Sequence, residues 1–562
     1  MSKFLSPLDS QQRLAAECVS GPVVILAGAG TGKTLTITNR LAHAISSAVV
    51  DASQTLTVTF TNRAAGELRS RLNNLGIGSA QVRTFHSAAL RQLRFFYPQV
   101  FTNQMPTLVP AKIQYVKKAA ELCHTDSDPD ALRDLAGEIE WAKVNLISPD
   151  SYRQQATELN RKVGHGFSPD QVAQVYETYL QVLDDSMCMD FEDVLLTTTA
   201  ILANYPELAA QVRSQYRYFT VDEFQDVSPV QFELLSLWLG NRDDICVVGD
   251  PAQTIYEFTG ASAQYLENFK EHFPRATTFE LTQSYRSSPE IISVANQALS
   301  AMPKQNLQLS TKLPPAKQVA IDAFTDDQTE ATQIALSIKT LIASGLAPKN
   351  IAIIYRMNNQ SETFETALSN ADIPFTIRGS SRYFERPEIK SAILHLRASL
   401  QTEVDRELNY QVRDVVSALG WAPKAPEAGQ AAQATWESLN TLVTLADEFA
   451  QDRPDALLPE FIALLDQRNE YDHDPVANAV TLAPIHAVKG LEWEAVFVAG
   501  LSEGLVPISY ATTPELIDQE RRLFYVAITR AKTHLQLSWA KSRSQYVAAH
   551  RVPSRFLLDL EN

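Results

Sequence analysis

The chain has 562 residues, 45% hydrophobic and 20% charged, with a formal net charge of −16. That length holds several domains with sizeable cores, and that composition is ordinary for a folded globular protein. No charged-then-apolar leader opens the chain and no apolar run approaches membrane-spanning length, so a cytoplasmic protein with no membrane partner is expected. Cys18, Cys123, Cys188 and Cys246 are scattered without a CxxC pair, which argues against a disulfide framework and against a zinc or iron–sulfur centre.

In chain order, the first strong element is PVVILA (Pro22–Ala27), short and apolar, which predicts a buried parallel strand. It runs into AGAGTGKT and then TITNRLAHAI, which has helical spacing. Strand, small-residue loop and helix is the setting of a phosphate-gripping loop, here Ala27, Gly28, Ala29, Gly30, Thr31, Gly32, Lys33 and Thr34. The glycines let backbone N–H groups curl around phosphate oxygens. Lys33 places a point charge on the β- and γ-phosphates, and Thr34 is a candidate Mg²⁺ ligand. Residues 60–95 then carry six arginines against one acid, Glu67. The segments Val109–His124 and Asp170–Asp185 have apolar residues three and four apart and predict helices.

RYFTVDE (Arg217–Glu223) predicts a second buried strand, ending in two carboxylates. Asp222 is the second candidate Mg²⁺ ligand, and Glu223 the candidate that orients and deprotonates an attacking water. ICVVGDPAQ (Ile245–Gln253) predicts a third strand and places Gln253 to sense the γ-phosphate. Together these elements predict binding and hydrolysis of a nucleoside triphosphate with Mg²⁺. Further on, NIAIIYR and AVFVAGL predict strands of another sheet. Between them, residues 401–480 hold 15 acidic and 5 basic residues, a balance of −10 that leaves only −6 for the other 482. The acid is therefore concentrated away from the arginine-rich stretch.

The ordered blocks resemble those of superfamily 1 helicases of the UvrD/Rep/PcrA group. LDSQQRLAAE (Leu8–Glu17) resembles the Q motif with Gln12 as adenine reader, Thr59–Arg71 motif Ia and Arg83–Arg94 motif Ib. DEFQD (Asp222–Asp226) resembles motif II, Val248–Ala261 motif III, Leu281–Ile291 motif IV, Ile485–Pro507 motif V and Glu520–Lys532 motif VI. The resemblance implies an α/β fold of two RecA-like P-loop motor domains, parallel sheets flanked by helices, each with an inserted and mainly helical subdomain. It implies arginine fingers at Arg286 and Arg530, adenine stacking by Tyr285 and a place near the ribose for Glu492. The implied domains are 1–88 and 205–282 (1A), 89–204 (1B), 283–390 and 481–562 (2A), and a short acidic insert, 391–480, in the 2B position. An Ala/Pro/Gln stretch at 422–434 reads as a linker.

The same resemblance implies an ATP-dependent DNA helicase or translocase, 3′→5′ on single-stranded DNA, acting in repair or replication restart. Its implied partners are single-stranded and 3′-tailed duplex DNA with repair or replication proteins. A motor blind to sequence needs stacking surfaces and backbone contacts. The matching positions are Phe60, Thr61, Asn62, His86, Tyr256, Phe258, Arg356, His486 and Lys489. Phe60 and Phe258 follow apolar strands, so core packing is the alternative for each, and His86 and His486 read equally as structural histidines. The chain departs from the group at four places: Leu35 and Pro484 replace its usual Arg and Thr, Pro251-Ala252 its acidic pair, and Phe258-Thr259 its aromatic-Arg step. Two rivals remain: a translocase that separates strands poorly, which the short 2B-position insert suggests, and a regulatory binding protein without turnover.

Overall fold

A computed structural model describes residues 2–159, 161, 163–257, 260–302, 307–357, 360–378, 384, 386–400, 407–423, 430–453, 456–470, 478–542 and 550–561. The chain divides into two compact units: Met1–Ser284 with Asn306–Leu309, and Tyr285–Gln305 with Ser310–Asn562.

Unit 1 is built on a six-stranded sheet of β1 (Val23–Ala27), β2 (Thr55–Thr59), β3 (Gln81–Thr84), β4 (Tyr218–Val221), β5 (Ile245–Gly249) and β6 (Thr277–Leu281). Their order is β3-β2-β4-β5-β1-β6 and every pairing is parallel. Ile25 at the centre of β1 faces Val248 on one side and Phe279 on the other. Parallel strands covered on both faces must be apolar throughout rather than alternating, which is why these segments read as continuous hydrophobic runs. Alternate side chains feed different cores: Val23, Ile25 and Ala27 join Ile37 and Leu41, whereas Val24 joins Val58, Phe219 and Trp238. Helices Phe85–Val100 and Phe191–Asn204 belong to this second core through Ala89, Leu93, Phe96, Leu195 and Leu202. A separate helical core, drawn from residues between Val116 and Leu183, surrounds the buried Tyr152 and Tyr179. The span 89–204 thus contributes its ends to the sheet and its middle to a core of its own.

Unit 2 repeats the plan with β7 (Ala320–Phe324), β8 (Ile351–Tyr355), β9 (Phe375–Ile377), β10 (Val480–Pro484), β11 (Trp493–Val498) and β12 (Ala531–Ala540). Their order is β7-β12-β11-β8-β10-β9, again all parallel. Helix Asp327–Ala343 packs Ile334, Ala335 and Ile338 into the core that holds Ile351, Ile353 and Phe497. A second helical core runs from Phe384 to Leu465, with Leu396, Val412, Leu442 and Phe461 at its centre. Of the stretch expected to be a linker, residues 424–429 lie outside the described residues and Gln430 opens the helix Gln430–Asp452. Alanine and glutamine favour helix once the chain has left its prolines, so composition alone misplaces this helix start.

Candidate functional site

Open parallel α/β sheets bind ligands beyond the carboxyl ends of their strands, and the sequence-predicted groups of unit 1 lie there. The loop after β1 turns through Gly30 (φ 75°) and Gly32 (φ 79°), backbone that side chains other than glycine rarely adopt. Gly32 caps helix Lys33–Ser46, so Lys33 and Thr34 are that helix's first two residues and its N–H groups point into the loop. Gln12 is only 2% exposed and donates from Nε2 to the Thr31 carbonyl at 2.9 Å. Its Oε1 accepts the Asp9 N–H while its own N–H is capped by Asp9. A Cβ on Gly32 would lie 2.6 Å from that Nε2. The expected adenine reader is thereby also a brace for the loop. Leu35, where the resembling group has Arg, packs against Leu5, Leu8 and Ala16.

Asp222 follows β4, its N–H donating to the Val58 carbonyl at 2.8 Å. Burial and the adjacent Glu223 charge push its carboxyl up to about 7, with Lys33 opposing. Two crowded carboxylates beside one lysine fit a divalent cation, which adds the missing positive charge. Asp222 and Thr34 are the residues that would hold Mg²⁺, whose chemistry is to neutralise phosphate charge. Glu223 has φ 52° and ψ 43°, a left-handed conformation uncommon for any residue but glycine. Such strain persists where the surroundings over-determine it, and catalytic groups are a common place for it.

What holds Glu223 is a residue that motif reading alone did not single out. Gln225, 0% exposed, donates from Nε2 to the Glu223 carboxylate and accepts the Asp250 N–H on Oε1 at 3.1 Å. A Cβ on Gly249 would meet that Oε1 at 2.4 Å, so the close approach requires glycine. Asp250 in turn caps the 3₁₀ turn Pro251–Gln253 and accepts the Gln253 side-chain amide at 2.7 Å. Pro251, a departure from the group, sits at the first position of that turn, where a missing N–H is not needed. Burial raises Asp250 above the usual carboxylate range against the pull of Lys33. One hydrogen-bonded line therefore runs Glu223, Gln225, Asp250, Gln253. The signal in sequence was the amide inside DEFQD, legible only once β4 and β5 are known to be neighbours.

Of the candidate nucleic-acid residues of unit 1, Phe60 is 39% exposed and stacks on Tyr256 with centroids 5.2 Å apart and planes 17° from parallel. Core packing is excluded for Phe60. Burial and the charges of Asp226 and Glu223 raise the Tyr256 hydroxyl above its usual value, so this ring lies within electrostatic reach of the carboxylate pole. Thr61 caps helix Asn62–Asn74 by accepting the Ala64 N–H, and Asn62 is exposed at its start. His86 packs edge-on against Phe191, and burial lowers it to about 4, leaving it neutral near pH 7. Phe258 lies outside the described residues.

Unit 2 gathers cations. Arg530 is 1% exposed, donating to the carbonyls of Val526 (2.9 Å) and Leu491 (3.1 Å) and to Thr529 Oγ1 (3.1 Å). Arg286 donates to Glu492 at 2.6 Å and to the Thr529 carbonyl at 3.1 Å. Glu492 also pairs with Lys532 at 3.1 Å. Burial works against its charge, but Arg286 and Lys532 hold it below the usual range. Tyr285 is 46% exposed beside Arg286. The arginine pair and Glu492 are thus brought together, with Glu492 occupied by cations.

Arg356 is drawn inward: it forms a two-pronged ion pair with Glu520, at 2.8 Å from Nη2 and 3.1–3.2 Å from Nε. Glu520 is 5% exposed and also accepts the Ile508 N–H at 3.1 Å. His486 lies near Arg356 and is lowered to about 4 by burial and then by that charge. Lys489 is half-buried and follows the 3₁₀ turn Ile485–Val488, for which Pro484 is the cap.

Comparison with known families matches residues 8–274 to the UvrD/REP helicase N-terminal domain and residues 279–424 and 402–542 to the UvrD-like helicase C-terminal domain. Proteins called ATP-dependent DNA helicase UvrD2 in Mycobacterium tuberculosis and Mycobacterium bovis are 44% identical over 573 residues, covering 99% of this chain and 81% of theirs. ATP-dependent DNA helicase PcrA of Staphylococcus epidermidis is 28% identical over 645 residues, covering 100% of this chain and 87% of its own. No helix among the described residues is long and apolar enough to cross a membrane. With its two α/β units matched end to end by these domains, the chain belongs to the UvrD/REP helicase family.

Proposed function

We propose that this ATP-hydrolysing DNA helicase travels 3′→5′ along single-stranded DNA, loads on 3′-tailed duplexes and acts in repair or replication restart within the cytoplasm, with proteins of those processes as partners. The observation that carries the catalytic part is the pairing of Asp222 and Glu223 at the end of β4, electrostatically coupled to Lys33. The phosphate loop and Lys33 hold the triphosphate, and Glu223, positioned by Gln225, takes the proton from the attacking water. Arg286 and Arg530 meet the charge that spreads over the transferring phosphoryl group, a task suited to a planar, permanently charged guanidinium. Gln253, joined to Glu223 through Asp250 and Gln225, reports whether the γ-phosphate is present. The domain division implied by the resemblance, 1A and 2A motors with 1B and 2B-position inserts, is part of this reading. The Phe60–Tyr256 stack is proposed as the base platform of unit 1, with Thr61 and Asn62 on the backbone. Polarity and pathway are supported by the resemblance of the ordered motif series.

The test is unwinding of 3′-tailed, 5′-tailed and blunt duplexes with ATP and Mg²⁺. Unwinding of the 3′-tailed substrate alone is the expected result, and a preference for the 5′ tail would overturn the polarity. A second reading, a translocase with little unwinding, is favoured by the shortness of the 2B-position insert, residues 391–480. Movement that displaces a protein block from single strands without opening any duplex would select it.

A further inference from the structure

Unit 1 carries a second basic feature, on the opposite edge of its sheet from the phosphate loop. Arg217 immediately precedes β4, and Arg242 lies just before β5. The catalytic carboxylates follow those strands, so a strand length of roughly 15 Å separates the two edges. The candidate DNA residues Phe60 and Tyr256 also follow the carboxyl ends of strands, so this place belongs to neither site described above.

A solvent-open cavity of about 690 Å³ here is lined by Arg213, Arg217 and Arg242 together with Ser214, Asn241 and Gly240. No acidic side chain lines it, and among the described residues none of the three arginines forms a salt bridge. Two of them are fixed in place by helix ends. Arg213 donates to the Leu237 carbonyl at 3.1 Å, and Arg242 to the Tyr216 carbonyl at 2.8 Å and the Leu239 carbonyl at 3.3 Å. Cations at helix C-termini are ordinary, and that accounts for Arg213 and Arg242. It does not account for Arg217, which is exposed and adds a third positive charge to the same cavity. Gly240 at φ 61° lets the Arg213 stem come close; a Cβ there would lie 2.8 Å from Arg213 Cδ. The like charges act on one another: burial, then Arg217, lowers Arg242 below its usual value, with Asp244 opposing.

We infer that this arginine cavity binds a backbone phosphate of the DNA substrate, a sequence-blind contact separate from the motor's own strand track. The inference rests on the DNA-helicase reading. Guanidinium forks match phosphate oxygens, and Asn241 adds a neutral donor, whereas the Ser214 hydroxyl already donates to the Gln211 carbonyl at 2.7 Å. No aromatic side chain lines the cavity, so a nucleobase has nothing to stack on, which favours a phosphate whose base points outward over a free nucleotide. An open mouth suits a chain passing across it.

The experiment uses the full chain and fluorescent DNA, with anisotropy followed across about 50–200 mM salt. Arg217→Glu is compared with wild type on a short single strand and on a long 3′-tailed duplex. Lys349→Glu, an exposed lysine of unit 2 with the same change in charge, is the control and is expected to match wild type. The expected result is weaker binding of the long substrate by Arg217→Glu, with its salt slope reduced by about 1 and the short strand little affected. Equal affinity and slope for Arg217→Glu and wild type on both substrates would overturn the inference. A second arm titrates inorganic phosphate against thermal unfolding. Phosphate protection lost in Arg217→Glu with DNA binding unchanged would assign the cavity to free phosphate and overturn the DNA source. Failure of the helicase reading is separately visible as wild-type ATP turnover that does not respond to DNA.

Discussion

The two units share one architecture, a six-stranded parallel sheet with a helical core of its own beside it, yet the candidate site groups they carry have opposite charge. Unit 1 presents short acidic and backbone groups: Asp222 and Glu223 after β4, Asp250 after β5, and a glycine-rich turn after β1. Unit 2 presents guanidinium groups, Arg286 and Arg530, held by carbonyls and by Glu492. In unit 1 the groups are set by backbone geometry and by burial, which raises the carboxylates and leaves them short of positive charge. In unit 2 long side chains are fixed by several hydrogen bonds each, so their charge is placed without a flexible search. One sheet plan can therefore carry candidate groups of opposite sign, and on the proposed reading the acidic set of unit 1 arranges water and cation while the guanidinium set of unit 2 supplies compensation.

The largest break in that division is expected from unit 2. Arg530→Ala should lower DNA-stimulated ATP turnover by about 10³- to 10⁵-fold, the range for an arginine finger. Because Arg530 is 1% exposed, its unfolding temperature is to be measured alongside, and Arg530→Lys should also fail because an ammonium lacks the fork. Turnover within a few-fold of wild type in a folded variant would remove Arg530 from the mechanism. On the unit 1 side, Glu223→Gln should cost about 10²- to 10⁴-fold in kcat with nucleotide affinity retained, the scale of general-base loss. A fall in affinity equal to the fall in kcat would instead make Glu223 a binding group.

Gln225 sharpens the contrast because it acts only through Glu223 and Asp250. Gln225→Ala removes a buried bridge of about 1–3 kcal/mol and should lower kcat about tenfold while the KM for ATP moves little. Equal loss in kcat and KM, or none, would mean that the left-handed turn at Glu223 holds without it. The smallest effect concerns pH. His486 titrates near 4 in the folded unit against about 6.5 unfolded. The unfolded chain therefore binds the extra proton first. The stability of unit 2 should be full above about pH 6.5 and fall as pH drops towards 4. His486→Asn should flatten that part of the melting profile, and an unchanged profile would show that the ring is solvated.

Much of the candidate catalytic pole can be read from sequence because it is local: a loop and its helix, or a strand and the two residues after it. AGAGTGKT and the pair Asp222-Glu223 needed no knowledge of the fold. The ties between distant segments were not legible. Nothing near Arg356 announces Glu520, 164 residues on, as its partner, so the ion pair made by this candidate strand contact emerged only with the fold. Gln225 needed the β4–β5 adjacency, and Arg217 is an ordinary charged residue until Arg213 and Arg242 are placed beside it. Aromatic and histidine positions were ambiguous for a physical reason: the same residues serve cores and surfaces. Exposure resolved Phe60 as a surface ring, whereas burial gave His86 and His486 a neutral, packed character. Helix starts after proline-rich runs, as at Gln430, stayed unreadable because propensity changes gradually along such a run.

The most direct test of the account is steady-state ATP hydrolysis by the purified chain with and without single-stranded DNA, beside the Lys33→Ala variant. Strong stimulation by the strand is expected in wild type, with turnover abolished in Lys33→Ala while DNA binding persists. Equal rates with and without DNA, or undiminished turnover in Lys33→Ala, would contradict it.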